Sequence, residues 1–176
     1  MIVGTILLAL LTLERLCELV IASRNTGRLM AQGGREYGAA HYPAMVLMHA
    51  SWLAGLWWWG LGNPVNYPLV AVALLMQAGR WWVVTTLKGR WTTRIIVVPG
   101  LPSIRSGPYR FLRHPNYVIV VLEIAVVPLA LGLWRMAILY SLLNALMLTV
   151  RIRAENAALA EAMRQDPLPS AVFPPM

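Results

Sequence analysis

The sequence predicts an all-α integral membrane protein of about five transmembrane helices, ending in a helical hairpin. Three observations carry this. Hydrophobic residues make up 59% of the chain and charged residues 12%, where an ordinary soluble domain carries about 25% charged residues. Five apolar stretches approach or exceed the membrane length, about 20 helical residues. The arginines and lysines gather in alternate loops between those stretches, as cytoplasmic loops do. The net charge of +8 is then a topology signal, and no nucleic-acid partner is expected. The single Cys17 excludes an internal disulfide and a cysteine-based metal cluster, and no metal site is expected.

The chain reads as a single membrane domain, 1–176, with N-terminal helices over 1–74, a chemistry-bearing region over 75–164 and an irregular, proline-rich tail over 165–176. Residues 2–22 form the first span. Glu14, Arg15 and Glu18 fall in its second half, where Arg15 can pair with Glu18 at i,i+3; such charges face protein rather than lipid. The start lacks a basic n-region, so no cleavable signal peptide is expected. Residues 23–42 read as a polar, Gly-rich loop. Residues 43–62 are a second, Trp-dense span, and Asn and Pro in NPVNYP (63–68) mark a turn. Residues 69–87 are the third span. Arg80 inside it reads as a snorkelling or interhelical residue rather than a ligand.

Residues 88–114 hold the densest basic run, with Lys88, Arg90, Arg94, Arg105, Arg110 and Arg113 and no acid. Within it, WTTRIIVV (91–98) is β-branched and partly alternating, which suits a short extended segment. Residues 115–133 are the fourth span, followed by a tight turn at Gly132. A fifth span over about 136–150 continues as a helix out of the membrane to Met163. The Lys/Arg excess after spans one and three and at the C-terminal segment puts the N-terminus outside and the C-terminus inside.

The stretch SGPYRFLRHPNY (106–117) stands apart from the apolar segments around it. It joins Arg110, Arg113 and His114 to Tyr109 and Tyr117, with Gly107, Pro108 and Pro115 as punctuation. By themselves Arg110 and Arg113 suit contacts to lipid headgroups. The helical hairpin brings this stretch to the same side of the membrane as Arg151 and Glu155, which share a helix face at i,i+4.

GPYRFLRHPNY, the hairpin, and RIRAE after it together resemble the isoprenylcysteine carboxyl methyltransferase family. The family pairs an RHPxY motif before a hairpin with an Arg and a Glu one turn apart after it. Here these are Arg113-His114-Pro115-Asn116-Tyr117, and Arg151 with Glu155. The resemblance covers roughly residues 75–160. It implies an integral membrane enzyme that moves a methyl group from S-adenosylmethionine to a lipophilic acceptor, with a cytoplasmic cofactor-binding segment. Carried over by position, the cofactor lies against Leu101, Pro102, Ser103, Ile104, Tyr109, His114, Pro115, Asn116, Tyr117 and Glu155. Arg151 takes the acceptor's carboxylate, and Arg151, Glu155 and His114 form the catalytic set.

The residue types suit that chemistry. Tyrosine faces can meet a sulfonium or a base, a carboxylate can hold an ammonium, and an arginine can grip an anion bidentately. Irregular backbone over 99–108 can offer hydrogen bonds where it lines a polar cavity. No strong base stands out, which favours an acceptor oxygen that is already acidic. His41 and His49 read as structural. Glu123 either lines the acceptor cavity or pairs with Arg80.

Isoprenylcysteine enzymes usually carry a Glu-Glu pair and then a YxxYxxRVP run. This chain has Glu155-Asn156 and ends in AALAEAMRQDPLPSAVFPPM. With the loop GGREYGAAHYP (33–43), it is similar to bacterial members that methylate alkylpyrones or alkylresorcinols. The expected acceptor is therefore a small lipidic enol, phenol or carboxylate; a prenylated cysteine or a phospholipid is the alternative. The alternative of another class is a non-enzymatic membrane carrier or assembly subunit; a carrier would show paired broken helices and an inverted repeat, and the sequence displays no such repeat.

Overall fold

Asn66 and Pro68 open a long apolar helix, and His114 and Pro115 open a shorter one. The Asn66 side chain accepts a hydrogen bond from Leu69 N at 3.1 Å, capping a free N–H. Proline sits in the first turn of both helices, where its missing N–H costs nothing. The computed structural model describes residues 2–102 and 104–165, with the side chains of Ala162, Met163 and Gln165 excepted. Ser103 and 166–176 of the expected tail lie outside the described residues.

Five α-helices are present among the described residues: α1 (Ile2–Ala31), α2 (Tyr42–Gly60), α3 (Tyr67–Leu87), α4 (Pro115–Ala130) and α5 (Trp134–Gln165). Two helical stretches, Tyr67–Arg90 and Trp134–Glu161, are long and apolar enough to cross a membrane by length and composition, and α4 is a shorter apolar helix. Large apolar side chains point away from the protein along several helices, with Leu75 at 72% and Leu146 at 68% exposure. Such a surface suits lipid.

Leu7, Leu8 and Leu11 of α1 meet Trp52 and Leu56 of α2, Val70 and Ala73 of α3, and Ile124 and Val127 of α4. Lipid tails are as apolar as these side chains, so close packing rather than water exclusion holds the helices together. Leu131 and Gly132, the latter at φ 74°, turn α4 into α5.

Two departures from the sequence reading concern residues 23–42 and the hairpin's last helix, while the extended segment expected within 91–98 is present. The polar stretch 23–31 is not loop but the last turns of α1. Its polar face is used: Asn25 Nδ2 donates to Trp91 O at 2.9 Å. The helix stops where Gly33 takes φ 85°, a left-handed stop that glycine adopts freely. The extended segment expected near 91–98 is β2 (Ile95–Val97). It pairs antiparallel with β1 (Arg35–Tyr37), Glu36 opposite Ile96. The fold is mostly helical, as expected, and the ribbon gives the expected extended segment a partner strand, each satisfying the other's backbone groups. Finally, α5 runs unbroken to Gln165, so residue 165 belongs to the helix rather than the tail.

Inside the bundle, Arg80 donates to Glu123 through Nη2 and to Asn116 Oδ1 through Nη1 at 3.3 Å. Gln77 Nε2 donates to Glu123 Oε1 at 2.8 Å, and Arg15 pairs with Glu18 at 2.9 Å. Arg80 is thus an interhelical residue, and Glu123 is its partner. A carboxylate at such depth is tolerable only when paired in this way.

Candidate functional site

The first turn of α4 faces α5 across a short gap. Pro115 fixes that turn, and Gly107, at φ 56°, lets the preceding GPYR turn approach α3. A side chain at 107 would put a Cβ 2.5 Å from Thr86 Oγ1. On this frame Tyr117 sits between Arg151 and Glu155. Its hydroxyl donates to Glu155 Oε2 and accepts from Arg151 Nε at 3.0 Å. His114 stacks on Tyr117, ring centroids 5.1 Å apart and planes 13° from parallel. His114 Nδ1 lies 3.9 Å from Glu155 Oε1. Arg151 also reaches α2, where Nη1 meets Met45 Sδ at 3.1 Å.

Two cavities meet at this cluster. One, of about 230 Å³, has a polar wall that includes Tyr109, Arg113, His114, Asn116, Tyr117 and Glu155, with β2 along one side. The other, of about 280 Å³, is mainly apolar, walled by Leu16, Leu19, Val46, Leu53, Val120 and Met147. Asn116, Tyr117 and Arg151 line both, together with Trp91 and Thr92. The shared wall is the geometric centre of the site.

Most of the expected residues converge here, and some do not. Leu101 and Pro102 are exposed and Ile104 is half-buried, outside the lining of the polar cavity. Their segment is tied to its rim because Arg90 Nη1, a lining residue, donates to Pro102 O at 2.5 Å. Pro115 is buried and shapes the helix start rather than the cavity wall. Residues that sequence reasoning missed are Trp91, Thr92, Arg94 and Ile95–Val97. The alternating WTTRIIVV run signalled a strand, but nothing in it disclosed its partner REY at 35–37. His49, read as structural, lines the apolar cavity, its Nδ1 2.9 Å from Met45 O.

Electrostatics outside the spans follow from burial and neighbours. Burial, reinforced by the Glu155 carboxylate, pushes the Tyr109 phenol up to about 12, so it remains a neutral hydroxyl. The hydrogen bond to Glu36 raises Arg94, whose Nη1 lies 2.7 and 3.0 Å from the two carboxylate oxygens. Burial and the Arg151 guanidinium hold His41 below the usual imidazole range.

A polar pocket and an apolar cavity sharing an Arg–Tyr wall at the end of a helical hairpin suit a membrane enzyme that brings a polar and an apolar partner together. The chain belongs to the isoprenylcysteine carboxyl methyltransferase (ICMT) family, whose model matches residues 69–161. That match takes in nearly all of α3, β2, α4 and most of α5, and so the whole Tyr117–Arg151–Glu155 cluster. Membership makes the chain a membrane methyltransferase. Among curated proteins, the uncharacterized protein YpbQ of Bacillus subtilis (strain 168) is 36% identical over 169 residues, 89% of this chain and 96% of that protein. An uncharacterized protein of Haemophilus influenzae is 26% identical over 155 residues, 83% of this chain and 88% of its own length. No solved structure matches the chain.

Proposed function

We propose that this protein transfers a methyl group from S-adenosylmethionine to an acidic oxygen (carboxylate, enol or phenol) of a lipophilic acceptor. The observation that carries this reading is the wall shared by the two cavities. The polar pocket and the apolar one share Arg151 and Tyr117, beside Asn116, Trp91 and Thr92, and Arg151 with Tyr117 could hold a proton-free acceptor oxygen there. The polar cavity offers donors and acceptors of the kinds an ammonium, a carboxylate and ribose hydroxyls need: Glu155, Arg113, His114 and Asn116.

When bound, S-adenosylmethionine supplies an electrophilic methyl group on a sulfonium that leaves as a neutral thioether. Glu155 and His114 would hold the polar end of that group, and the Tyr109 and Tyr117 rings would flank it. Arg151 would hold the acceptor oxygen anionic and oriented, its Nε already fixed on the Tyr117 hydroxyl. Displacement then depends on alignment and charge rather than on a general base. Apolar side chains of α1, α2 and α5 would take the acceptor's tail and keep water from the reacting oxygen.

The membrane arrangement belongs to the same proposal. Five crossings, with the N-terminus outside and the C-terminus inside, put the polar pocket on the cytoplasmic side, and a bacterial inner membrane is the setting. The arginine-rich segment 88–114 would then lie against cytoplasmic headgroups.

Methyl-labelled donor, purified protein in mild detergent and a bacterial lipid extract test the proposal. Label should enter a lipid fraction as an ester or ether, and Arg151→Ala should reduce the transfer at least tenfold. Label recovered only on nitrogen or sulfur, or transfer indifferent to Arg151, would overturn it.

A further inference from the structure

Part-way down its wall the apolar cavity carries two polar side chains that the protein itself does not use up. Asn144 of α5 lines the cavity and is only 2% exposed, yet its amide makes no hydrogen bond among the described residues. The partnerless polar atoms closed off from a water-sized group belong to Glu14, Glu18, Trp52, Arg80 and Trp91, and neither Asn144 amide atom is among them. The little surface that Asn144 keeps is thus its amide, turned to the cavity it lines. His49 of α2 lines the same cavity. Its Nδ1 lies 2.9 Å from Met45 O, and a carbonyl only accepts, so Nδ1 carries the proton. Nε2 of the neutral ring then presents a lone pair, and it too is neither bonded nor closed off.

Two contacts between α2 and α5 set the level of this pair. Arg151 Nη1 meets Met45 Sδ at 3.1 Å, and the Tyr140 hydroxyl donates to Ser51 Oγ at 3.1 Å. His49 stands four of the six residues from Met45 to Ser51, and Asn144 seven of the eleven from Arg151 to Tyr140, about two-thirds of the way on both helices. They therefore face the cavity at one level, about 6–10 Å beyond Arg151 by the rise of a helix. The other polar groups along this wall are engaged. Thr12 Oγ1 donates to Leu8 O and accepts from Trp57 Nε1, Arg15 pairs with Glu18, and Arg80 holds Glu123 and Asn116.

We propose that Asn144 and His49 form a specificity subsite for a hydroxyl part-way along the acceptor's tail, separate from the oxygen that is methylated. A hydroxyl is the small group that serves both, donating to His49 Nε2 and accepting from Asn144 Nδ2. A ketone or an ether serves only the amide, and a methylene neither. An open amide at this depth is costly when an all-methylene chain covers it, because it then loses water and gains no partner. Discrimination is strong at such a place, since the analogue without the hydroxyl leaves buried polar groups unpaired.

This inference rests on the acceptor reading above, and its test is built so that the two fail separately. Binding of hexadecanoate and of the series of its monohydroxy isomers is measured on the full chain in detergent, with S-adenosylmethionine binding followed on the same samples. The tightest isomer should carry its hydroxyl within the chain, away from the carboxylate and from the chain end, and bind ten times or more tighter than hexadecanoate. Asn144→Leu should erase that difference by strengthening hexadecanoate and weakening the hydroxy isomer. It should fold as the wild type does, since the Asn144 amide gives the protein no hydrogen bond to lose. His49→Leu, on the facing helix, should shrink the preference in the same way, so the test does not hang on one variant. His49→Gln, which keeps an acceptor, should retain part of it. Equal affinity for every probe, a preference that survives both leucine variants, or no probe binding at all would each overturn the subsite. A hydroxyl preference lost in Asn144→Leu, in a protein that binds no S-adenosylmethionine, would uphold the subsite and remove the methyl-transfer reading.

Discussion

Arg151 Nε donates to the Tyr117 hydroxyl at 3.0 Å, and that hydroxyl in turn donates to Glu155. One phenol thus connects the residue proposed to hold the acceptor with the residue proposed to hold the cofactor. Tyr117→Phe keeps the ring that stacks on His114 and removes only this link. A hydrogen bond to a charged group contributes about 1.5–3 kcal/mol, so methyl transfer should fall about ten- to a hundredfold. Helical content and thermal unfolding should change little. Transfer kinetics beside circular dichroism check this, and wild-type rates in Tyr117→Phe would refute the bridging role.

The buried Arg80–Glu123 pair is a structural element with a separate signature. Arg80→Met leaves the Glu123 carboxylate without its main partner, a loss of about 3–5 kcal/mol. Adding Glu123→Leu removes the stranded charge and should recover most of that stability. Thermal unfolding in detergent reads both variants; a double variant no better than the single one would contradict the pairing.

Glu36 and Arg94 clip strand β1 to strand β2 along the rim of the polar pocket. The pair is partly exposed, with side chains at 23% and 40%, so its coupling should be modest, about 0.2–1 kcal/mol, and weaker in high salt. A double-mutant cycle with Glu36→Gln and Arg94→Gln measures it. Because β2 lines the pocket, S-adenosylmethionine affinity should drop by a small factor in each single variant and no further in the double.

Alkaline pH probes Tyr109. Its phenol is raised from 10 to about 12 in the folded chain, chiefly by burial. A raised folded value means that the folded state keeps the proton longer than the unfolded state does. The associated stability is present below about pH 10 and is lost as pH climbs toward about 12. Unfolding measured across that window should show a fall that is shallower in Tyr109→Phe. An identical fall would mean that Tyr109 is not buried as described.

The hairpin and its polar motif were legible because each has a local cause. Pro115 opens a helix, Gly132 turns it, and Arg151 and Glu155 sit one turn apart, so sequence spacing alone brings them to one face. The strand ribbon was half legible. Residues 91–98 alternate, but pairing with Arg35–Tyr37 depends on tertiary contact, and three-residue strands carry almost no periodicity. The length of α1 was misjudged because polar residues 23–31 look like loop until Asn25 is seen bonding the 88–91 segment. The apolar cavity was illegible: its wall draws on α1, α2, α3, α4 and α5 together, and no local pattern encodes that convergence.

The most direct test of the account is S-adenosylmethionine binding by calorimetry, on the wild-type protein in mild detergent beside Glu155→Ala and His114→Ala. The account predicts low-micromolar binding by the wild type and a loss of tenfold or more in each variant, with folding intact. A well-folded wild type that binds no S-adenosylmethionine, or binding that both variants leave untouched, would contradict it.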